Sequence, residues 1–77
     1  MIDWTQHIET NPNVLYGKPV INNTRIPVDL ILEKLADGYS YDNLIDAYPK
    51  LKNEDIIACL LFASESIKNE LVFPKAS

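Results

Sequence analysis

The stretch from Gly38 to Asp55 constrains the fold of this 77-residue chain more than any other part of the sequence. Gly38 is expected to end one helix, because glycine easily adopts the left-handed conformation that follows a helix's last turn. Ser40 can cap a second helix, and Pro49 closes it, because a proline disfavours helical conformation in the residue before it. Asn53 then lies near the start of a third helix. A short helix between two longer apolar ones is the arrangement of a helix-turn-helix, and it predicts a mainly α fold.

Apolar residues at helical spacing set the expected limits of the three helices at about 28–37, 40–47 and 53–68. The core-facing residues expected in the first two helices are Val28, Ile31, Leu32, Leu35, Leu44, Ile45 and Tyr48. Those expected in the third helix are Ile56, Ile57, Leu60, Leu61, Ala63 and Ile67. This last stripe is wider than one packing partner needs, so we expect it to face both the other helices and a second subunit.

Residues 1–27 are expected to form short strands and turns. Asn11–Asn13 is a turn signal because its central residue is a proline, and Asn22–Asn23 is another because asparagine tolerates positive φ. Val14–Tyr16 and Val20–Ile21 are predicted as short strands between these turns. Such strands are not stable alone, so they must lie on the helices or pair with another chain.

The whole chain is predicted to be one domain, with an N-terminal β and turn segment (1–27), a three-helix homeodomain-like core (28–68) and a tail (69–77). A chain of this length buries about 60–65% of the surface that its unfolded form exposes, so its core is thin. Small domains often gain stability by pairing with two-fold symmetry, so a homodimer is expected.

The charge balance argues against unaided DNA binding, because 7 basic residues stand against 11 acidic ones and give a net charge of −4. DNA-binding proteins usually carry a basic surface, since contacts to phosphates supply much of their affinity. An acidic chain fits a basic protein partner at least as well. The sequence has no apolar run of the about 18 residues that a membrane span needs, and its start does not resemble a signal peptide. With its single cysteine, this composition is compatible with a cytoplasmic protein.

The sequence offers little for catalysis, because His7 is the only histidine and Cys59 the only cysteine, and they lie in unrelated segments. Nucleophilic catalysis needs a nucleophile oriented by a base, so we predict a protein that is not an enzyme. No ligands stand at the spacing of a metal site, and no cofactor is predicted. Cys59 lies in an apolar run and is expected to be a buried core residue. Glu54 and Asp55 are expected to stabilise the first turn of the third helix.

Residues 12–63 resemble DUF433, domain-of-unknown-function family four hundred and thirty-three, a family of small prokaryotic domains. The resemblance rests on Gly17–Ile21, Thr24–Val28, Gly38–Ser40, Tyr48–Leu51 and Glu54–Ile56, in the usual order and spacing. It implies a homeodomain-like helix-turn-helix with an N-terminal β segment. Some members resemble the antitoxin half of VapBC-type modules, in which the partner is a toxin with a PIN ribonuclease fold.

Three positions depart from the pattern of that family. Tyr16 and Asn23 stand where glycine is common, and Asn23 is expected to keep its turn by adopting the left-handed conformation. Lys52 stands where threonine usually caps the third helix, and its charge opposes the positive helix end by up to about 1 kcal/mol. We expect Asn53 to cap the helix one residue later. Two explanations of Lys52 stay open, namely phosphate binding and drift on an exposed turn.

A helix-turn-helix reads DNA with residues near the start of its second helix, while neighbouring residues hold phosphates. The candidate DNA-binding residues are Arg25, Ser40, Tyr41, Asn43, Lys50, Lys52 and Asn53. Glu54 and Asp55 lie at the same place and would repel phosphate, so a helix-turn-helix without DNA contact is equally compatible with the sequence. Arg25 also has a second interpretation, as a residue that anchors the β segment on the helices.

Exposed aromatic and apolar residues are candidates for binding another protein, because such residues are enriched at interfaces. The candidate partner-binding residues are Trp4, Tyr16, Tyr39, Leu71, Val72 and Phe73. Alternatively, the three aromatic residues cover the thin core of the chain. The apolar tail residues, in the same way, have an alternative role in packing on the chain's own helices.

The sequence therefore predicts a non-enzymatic, antitoxin-like helix-turn-helix module that acts as a homodimer. It would cover a PIN-type ribonuclease toxin sterically, with its negative charge facing a basic RNA-binding groove, and the complex would bind operator DNA. Two alternatives stay open. One is a stand-alone DNA-binding regulator, and the other is a dimerisation module without DNA contact.

Overall fold

Three α-helices and a small antiparallel sheet form the part of the chain that the computed structural model describes, residues 2–70. The helices are α1 (Val28–Ala36), α2 (Tyr41–Ala47) and α3 (Asn53–Glu70), and the strands are β1 (Ile8–Glu9) and β2 (Val20–Ile21). The prediction of a mainly helical fold with a small N-terminal β segment is confirmed at this level. The tail from residue 71 onward, including the candidates Leu71, Val72 and Phe73, lies outside the described residues.

Helix α1 ends one residue earlier than predicted, and Gly38 follows it with φ of +95°. The Gly38 N–H donates to the Leu35 carbonyl at 3.0 Å, and the Tyr39 N–H donates to the Lys34 carbonyl at 3.0 Å. This pair of hydrogen bonds satisfies carbonyls that the last turn of a helix would leave open. The left-handed glycine predicted at Gly38 is thus confirmed.

Helix α2 has only seven residues, and a reciprocal pair of hydrogen bonds holds its start. The Ser40 hydroxyl accepts from the Asn43 N–H at 3.0 Å, and the Asn43 side-chain oxygen accepts from the Ser40 N–H at 3.0 Å. This capping box compensates for the low intrinsic stability of so short a helix. Ser40 is therefore the N-cap that the sequence predicts.

The core lies where the three helices meet the sheet. Its fully buried members include Ile21, Val28, Ile31, Leu44, Ile56, Ala58 and Cys59. On α3, Ile56 and Cys59 are buried as predicted, and Ala58 is a buried residue that was not predicted. Leu60 and Ile67, which were expected to face the other helices or a second subunit, are 42% and 68% exposed in the single chain. Ala58 and Cys59 have small side chains, so neighbouring elements can approach α3 closely at these two positions. The buried face of α3 therefore includes Ala58 and Cys59 but not Leu60 and Ile67.

Strand β1 was not predicted, whereas β2 was. The two strands pair antiparallel, with Ile8 opposite Ile21 and Glu9 opposite Val20, and Val20 also bridges to Pro27. A single-turn helix at Trp4–Gln6 precedes β1 and contacts α3. Two-residue strands are too short to be stable alone, so their packing on the helices holds them in place.

The prediction of a strand at Val14–Tyr16 was wrong. The chain forms a tight single turn at Leu15–Gly17, in which Leu15 and Tyr16 both have positive φ. The Asn11 side chain accepts from the Asn13 N–H at 2.9 Å, and the Val14 N–H donates to the Asn11 carbonyl at 2.8 Å. Local turn chemistry therefore overrides the strand preference of the apolar residues that follow.

Candidate nucleic-acid interface

A groove runs between two turns that lie far apart in the sequence, at 22–25 and 49–52. Three adjoining hollows make up the groove, and Thr24 and Lys50 line all three of them. The largest has a volume of about 560 Å³ and reaches from Lys50 past Lys52 to His7 and Asp55. The other two extend from Thr24 and Lys50 to Arg25. We call this feature the basic groove, after Arg25, Lys50 and Lys52.

Three of the predicted DNA-binding residues thus lie together in the basic groove, since Arg25, Lys50 and Lys52 are all exposed along it. Among the described side chains, Lys18 forms an ion pair with Asp29, and the His7 ring lies within hydrogen-bond distance of Asp55. No carboxylate of the described side chains therefore neutralises the three groove cations by direct contact. The groove concentrates positive charge on a chain whose net charge is negative.

Asp55 lies at the head of α3 and is directed inward, with 8% of its surface exposed. Its Oδ1 is 2.9 Å from His7 Nδ1, and its Oδ2 accepts from the Lys52 N–H at 3.0 Å. The carboxylate therefore fixes the N-terminal segment to α3 and satisfies a backbone donor at the start of that helix. This contact could not be predicted from local sequence patterns, because His7 and Asp55 are 48 positions apart.

The inward direction of Asp55 changes the electrostatic argument about the start of α3. The sequence predicts that Glu54 and Asp55 together repel phosphate there. Asp55 is instead held by His7 and the Lys52 N–H, and Glu54 is the exposed acidic residue of the pair. The positive end of the α3 dipole adds to the charge of Lys52.

Asn53 is the first residue of α3 and not its cap, so that prediction was wrong. The Asp55 and Ile56 N–H groups donate to the Lys52 carbonyl at 3.0 and 3.3 Å, which places Lys52 immediately before the helix. A lysine is tolerated at this position because the Asp55 side chain, rather than the residue at 52, supplies the capping oxygen. Asn53 is exposed beside Lys52.

The other predicted DNA-binding residues lie elsewhere. Ser40 and Asn43 are hydrogen-bonded to each other at the start of α2. Tyr41 is half-buried and packs against the core. None of these three lines the basic groove. The structure therefore divides the predicted set into a groove cluster and an α2 cluster.

The turn at 22–25 is held firmly by side-chain hydrogen bonds. The Thr24 hydroxyl donates to the Ile21 carbonyl at 2.8 Å and accepts from the Ile26 N–H at 3.0 Å. Asn23 adopts the left-handed conformation with φ of +62°, as the sequence predicts, and its N–H donates to Glu9 at 3.2 Å. The groove cation Arg25 therefore extends from a turn of fixed geometry.

Asn22 contributes the one buried side-chain oxygen of the described residues that lacks a hydrogen-bond partner. Its amide nitrogen donates to the Gln6 carbonyl at 2.8 Å, while its Oδ1 has no partner. Asn22 lines the largest hollow of the groove. Buried polar atoms are normally satisfied, so this oxygen can accept a hydrogen bond from a ligand or an ordered water.

The aromatic candidates for protein binding lie in three different environments. Trp4 packs edge-on against Phe62 with ring centroids 5.0 Å apart, so it covers part of the core. Tyr39 lies under the Lys34 ammonium at 4.9 Å from the ring centroid. Tyr16 is 101% exposed. Two of the three rings therefore have contacts within the chain, and Tyr16 extends into solvent.

A second exposed surface lies along the outer face of α3. Leu60 and Ile67 are seven residues apart, which is about two helical turns, so they share one face. Both are exposed, and we call this pair the α3 stripe. Ser64 lies between them on the same face and is exposed, so the α3 stripe consists of two separate apolar side chains and is not a continuous apolar patch.

Cys59 is buried as predicted, and burial together with the negative charge of Asp55 raises the pKa of its thiol to about 12. Such a thiol stays protonated and inert at neutral pH. Among the described side chains, no three His, Cys, Asp or Glu residues form a group that could hold a metal ion. None of the described helices has the length and apolar character of a membrane span.

A family described as "Protein of unknown function (DUF433)" matches residues 8–63. The chain belongs to the DUF433 family. Uncharacterized protein y4eO from Sinorhizobium fredii is 32% identical over 56 residues, which are 73% of this chain and 25% of that protein. The chain thus spans about a quarter of the length of the curated relative it matches.

The fold is similar to that of a solved member of the same family. A crystal structure of a DUF433 member protein from Anabaena variabilis matches 84% of this chain and 67% of that chain, with a TM-score of 0.73 and 32% identity. The similarity supports the arrangement of three helices and a small sheet described above. The function of the family is not assigned in either description.

Proposed function

We propose that this DUF433 chain is a non-enzymatic module that binds DNA through the basic groove and the start of α3. One observation carries the proposal. Two turns distant in sequence bring Arg25, Lys50 and Lys52 into one groove, while Asp55 is directed inward and held by His7. In this proposal α2, the connection 48–52 and α3 act as a helix-turn-helix, with the groove cations on phosphates and Asn53 near the base edges.

The net charge of −4 limits what one copy of the chain can bind. Each phosphate neutralised contributes a salt-dependent share of the affinity, so three cations with Glu54 beside them support only weak binding. Two copies on neighbouring half-sites would double the number of phosphate contacts and gain by avidity. We therefore propose that the DNA-binding unit is a homodimer or a complex with a second protein.

The α3 stripe supports an antitoxin-like role, in which the same chain also binds a protein. Leu60 and Ile67 offer an apolar face on the outer side of the helix that carries the groove. In the antitoxin-like proposal the partner is a PIN-type ribonuclease toxin, whose basic RNA-binding surface the acidic chain complements. A stand-alone regulator would use the stripe for its own dimer instead.

Fluorescence anisotropy with a labelled duplex from the promoter of the chain's own gene tests the DNA-binding proposal. Arg25→Gln, Lys50→Gln and Lys52→Gln each remove one groove charge. Each variant is expected to bind about three- to ten-fold more weakly. The slope of log K against the logarithm of the salt concentration should become shallower by roughly 0.9. Lys68→Gln, an exposed lysine near the other end of α3, is the matched control and is expected to change neither quantity.

Equal loss in the Lys68→Gln control would mean that net charge alone matters, and it would reject the groove as the interface.

For the protein partner, the chain is purified from its host with and without nuclease. Retention of a PIN-like protein after nuclease, and its loss in a Leu60→Ser, Ile67→Ser double variant, are the expected results. Recovery of the chain without any such protein would reject the antitoxin-like role but not the DNA-binding role.

A further inference from the structure

Residues 15–17 form an unusual turn, because three consecutive residues lie in the left-handed region. Their φ angles are +48° for Leu15, +58° for Tyr16 and +81° for Gly17. Two hydrogen bonds close the turn, from the Gly17 N–H to the Val14 carbonyl at 3.0 Å and from the Lys18 N–H to the Leu15 carbonyl at 3.2 Å. Glycine and asparagine adopt this conformation readily, but leucine and tyrosine do so only at a cost. Tertiary structure therefore holds two bulky residues in a strained turn.

The turn places the whole Tyr16 side chain in solvent, where it is 101% exposed. A tyrosine ring usually buries part of its apolar face, as Trp4 and Tyr39 do in this chain with Phe62 and Lys34. No packing within the described residues explains why a tyrosine stands at position 16. Strained residues that the surrounding structure maintains are often functional, so a ligand for the ring is the natural explanation.

The turn lies beside the basic groove. Val14, whose carbonyl closes the turn, lines the same hollow as Arg25 and Lys50. The Tyr16 ring thus extends from a turn that adjoins a pocket with two cations. Proteins bind single-stranded nucleic acid with exposed rings and cations of this kind, since the cations hold the phosphates and a ring stacks on a base. In an intact duplex both faces of a base are covered by its neighbours, so the ring requires an unpaired base.

We propose that Tyr16 is a stacking platform for an unpaired base of a nucleic-acid strand whose phosphates lie along the basic groove. The inference rests on the proposed nucleic-acid binding of that groove and adds a preference for single-stranded segments. A protein pocket could also receive a tyrosine. The adjoining Arg25 and Lys50, neither neutralised by a described carboxylate, favour a phosphate-bearing partner.

Fluorescence anisotropy on the full chain tests this inference with two probes of equal length, a labelled oligothymidine and a labelled duplex. Tyr16→Asn removes the ring but keeps a residue that tolerates positive φ, so the fold is preserved. It is expected to weaken binding of the single strand by at least about five-fold, the lower end of measured stacking effects. Tyr16→Phe retains the ring and should bind within about two-fold of the wild type.

Tyr39→Asn is the matched control, because it removes another exposed tyrosine from a site away from the groove. It should leave binding of both probes unchanged, and Tyr16→Asn should leave duplex binding unchanged. Circular dichroism confirms that each variant is folded.

Three outcomes would overturn the inference. Equal affinity of the wild type and Tyr16→Asn for the single strand would reject stacking. In that case, weaker duplex binding by Lys50→Gln would still support the duplex-binding proposal. Equal loss on both probes would assign Tyr16 to a backbone contact. Absence of binding to either probe would reject the inference and the proposed function together, and would leave Tyr16 as an anchor for a protein.

Discussion

Helix α3 exposes two different kinds of side chain. At its start, charged side chains reach solvent, and hydrogen bonds hold the backbone that carries them. Along its outer face, apolar side chains reach solvent. Asp55 joins His7 and the Lys52 N–H within 3.0 Å at the first of these regions. Leu60 and Ile67 form the second region, and they are the large exposed apolar residues of the helix. The two regions belong to one helix but can serve different kinds of partner.

The comparison shows how one helix can separate two tasks. Recognition of phosphate needs charges at fixed positions, and hydrogen bonds supply that positioning. Recognition of protein needs apolar side chains that pack closely against a partner surface, and the α3 stripe supplies exposed apolar side chains. We therefore expect substitutions at the start of α3 to change nucleic-acid binding, and substitutions in the stripe to change protein association.

The largest expected effect distinguishes the buried side of α3 from its stripe. Ile56→Ala should lower the free energy of unfolding by about 2–5 kcal/mol, because Ile56 is fully buried and its truncation leaves a cavity. Leu60→Ala, on the exposed side, should cost less than about 1 kcal/mol in the monomer. Chemical denaturation of both variants measures the difference. Similar losses would mean that Leu60 is buried in solution.

The next effect concerns the contact between His7 and Asp55. Asp55→Ala should cost about 1–3 kcal/mol, because it leaves the part-buried Lys52 N–H without its acceptor and removes the His7 contact. His7→Ala should cost less, since the helix-capping bond remains. The double variant then gives the coupling between the two side chains, expected at about 0.5–1.5 kcal/mol. A coupling of zero would contradict a contact that fixes the N-terminal segment to α3.

A smaller effect with the opposite sign is expected at the strained turn. Tyr16→Asn should raise the free energy of unfolding by about 1 kcal/mol or less, because asparagine adopts the left-handed conformation at lower cost than tyrosine. For a domain of this size the midpoint of thermal unfolding should rise by a few degrees, roughly 2–6 °C. A lower midpoint would show that the Tyr16 side chain stabilises the fold.

The smallest change in stability is expected in the α3 stripe itself. Ile67→Ser should change the free energy of unfolding of the monomer by no more than about 0.5 kcal/mol, because the side chain is 68% exposed. Sedimentation of the same variant should nevertheless show weaker self-association than the wild type. A matched exposed change, Glu65→Gln, should leave association unchanged. Loss of monomer stability in Ile67→Ser would place the residue in the core.

The helical part of the fold could be predicted from the sequence because its signals are local. Gly38 and Ser40 mark helix ends through their own backbone chemistry, and both act as predicted. The buried face of α3 was predicted in part, since Ile56 and Cys59 are buried as expected but Ala58 was missed. Periodicity identifies large apolar residues, but it does not tell where a neighbouring element lies so close to the helix that only a small side chain fits.

The N-terminal segment was harder to predict, since its structure depends on contacts that are distant in sequence. Strand β1 exists because Ile8 pairs with Ile21, and the turn at Leu15–Gly17 is held against the strand preference of its residues. The candidate site was predicted in part. Arg25, Lys50 and Lys52 could be named from the sequence, but their assembly into one groove and the inward direction of Asp55 required the tertiary structure.

An NMR titration of the labelled chain with duplex DNA, followed through the backbone amide signals, tests whether the basic groove binds DNA. Binding in the groove should give shifts that grow with added DNA at residues 22–25 and 50–53, which surround the groove, and no shifts at Leu60 and Ile67. Shifts confined to the α3 stripe or to Ser40, Tyr41 and Asn43, or no shifts at any residue, would contradict it.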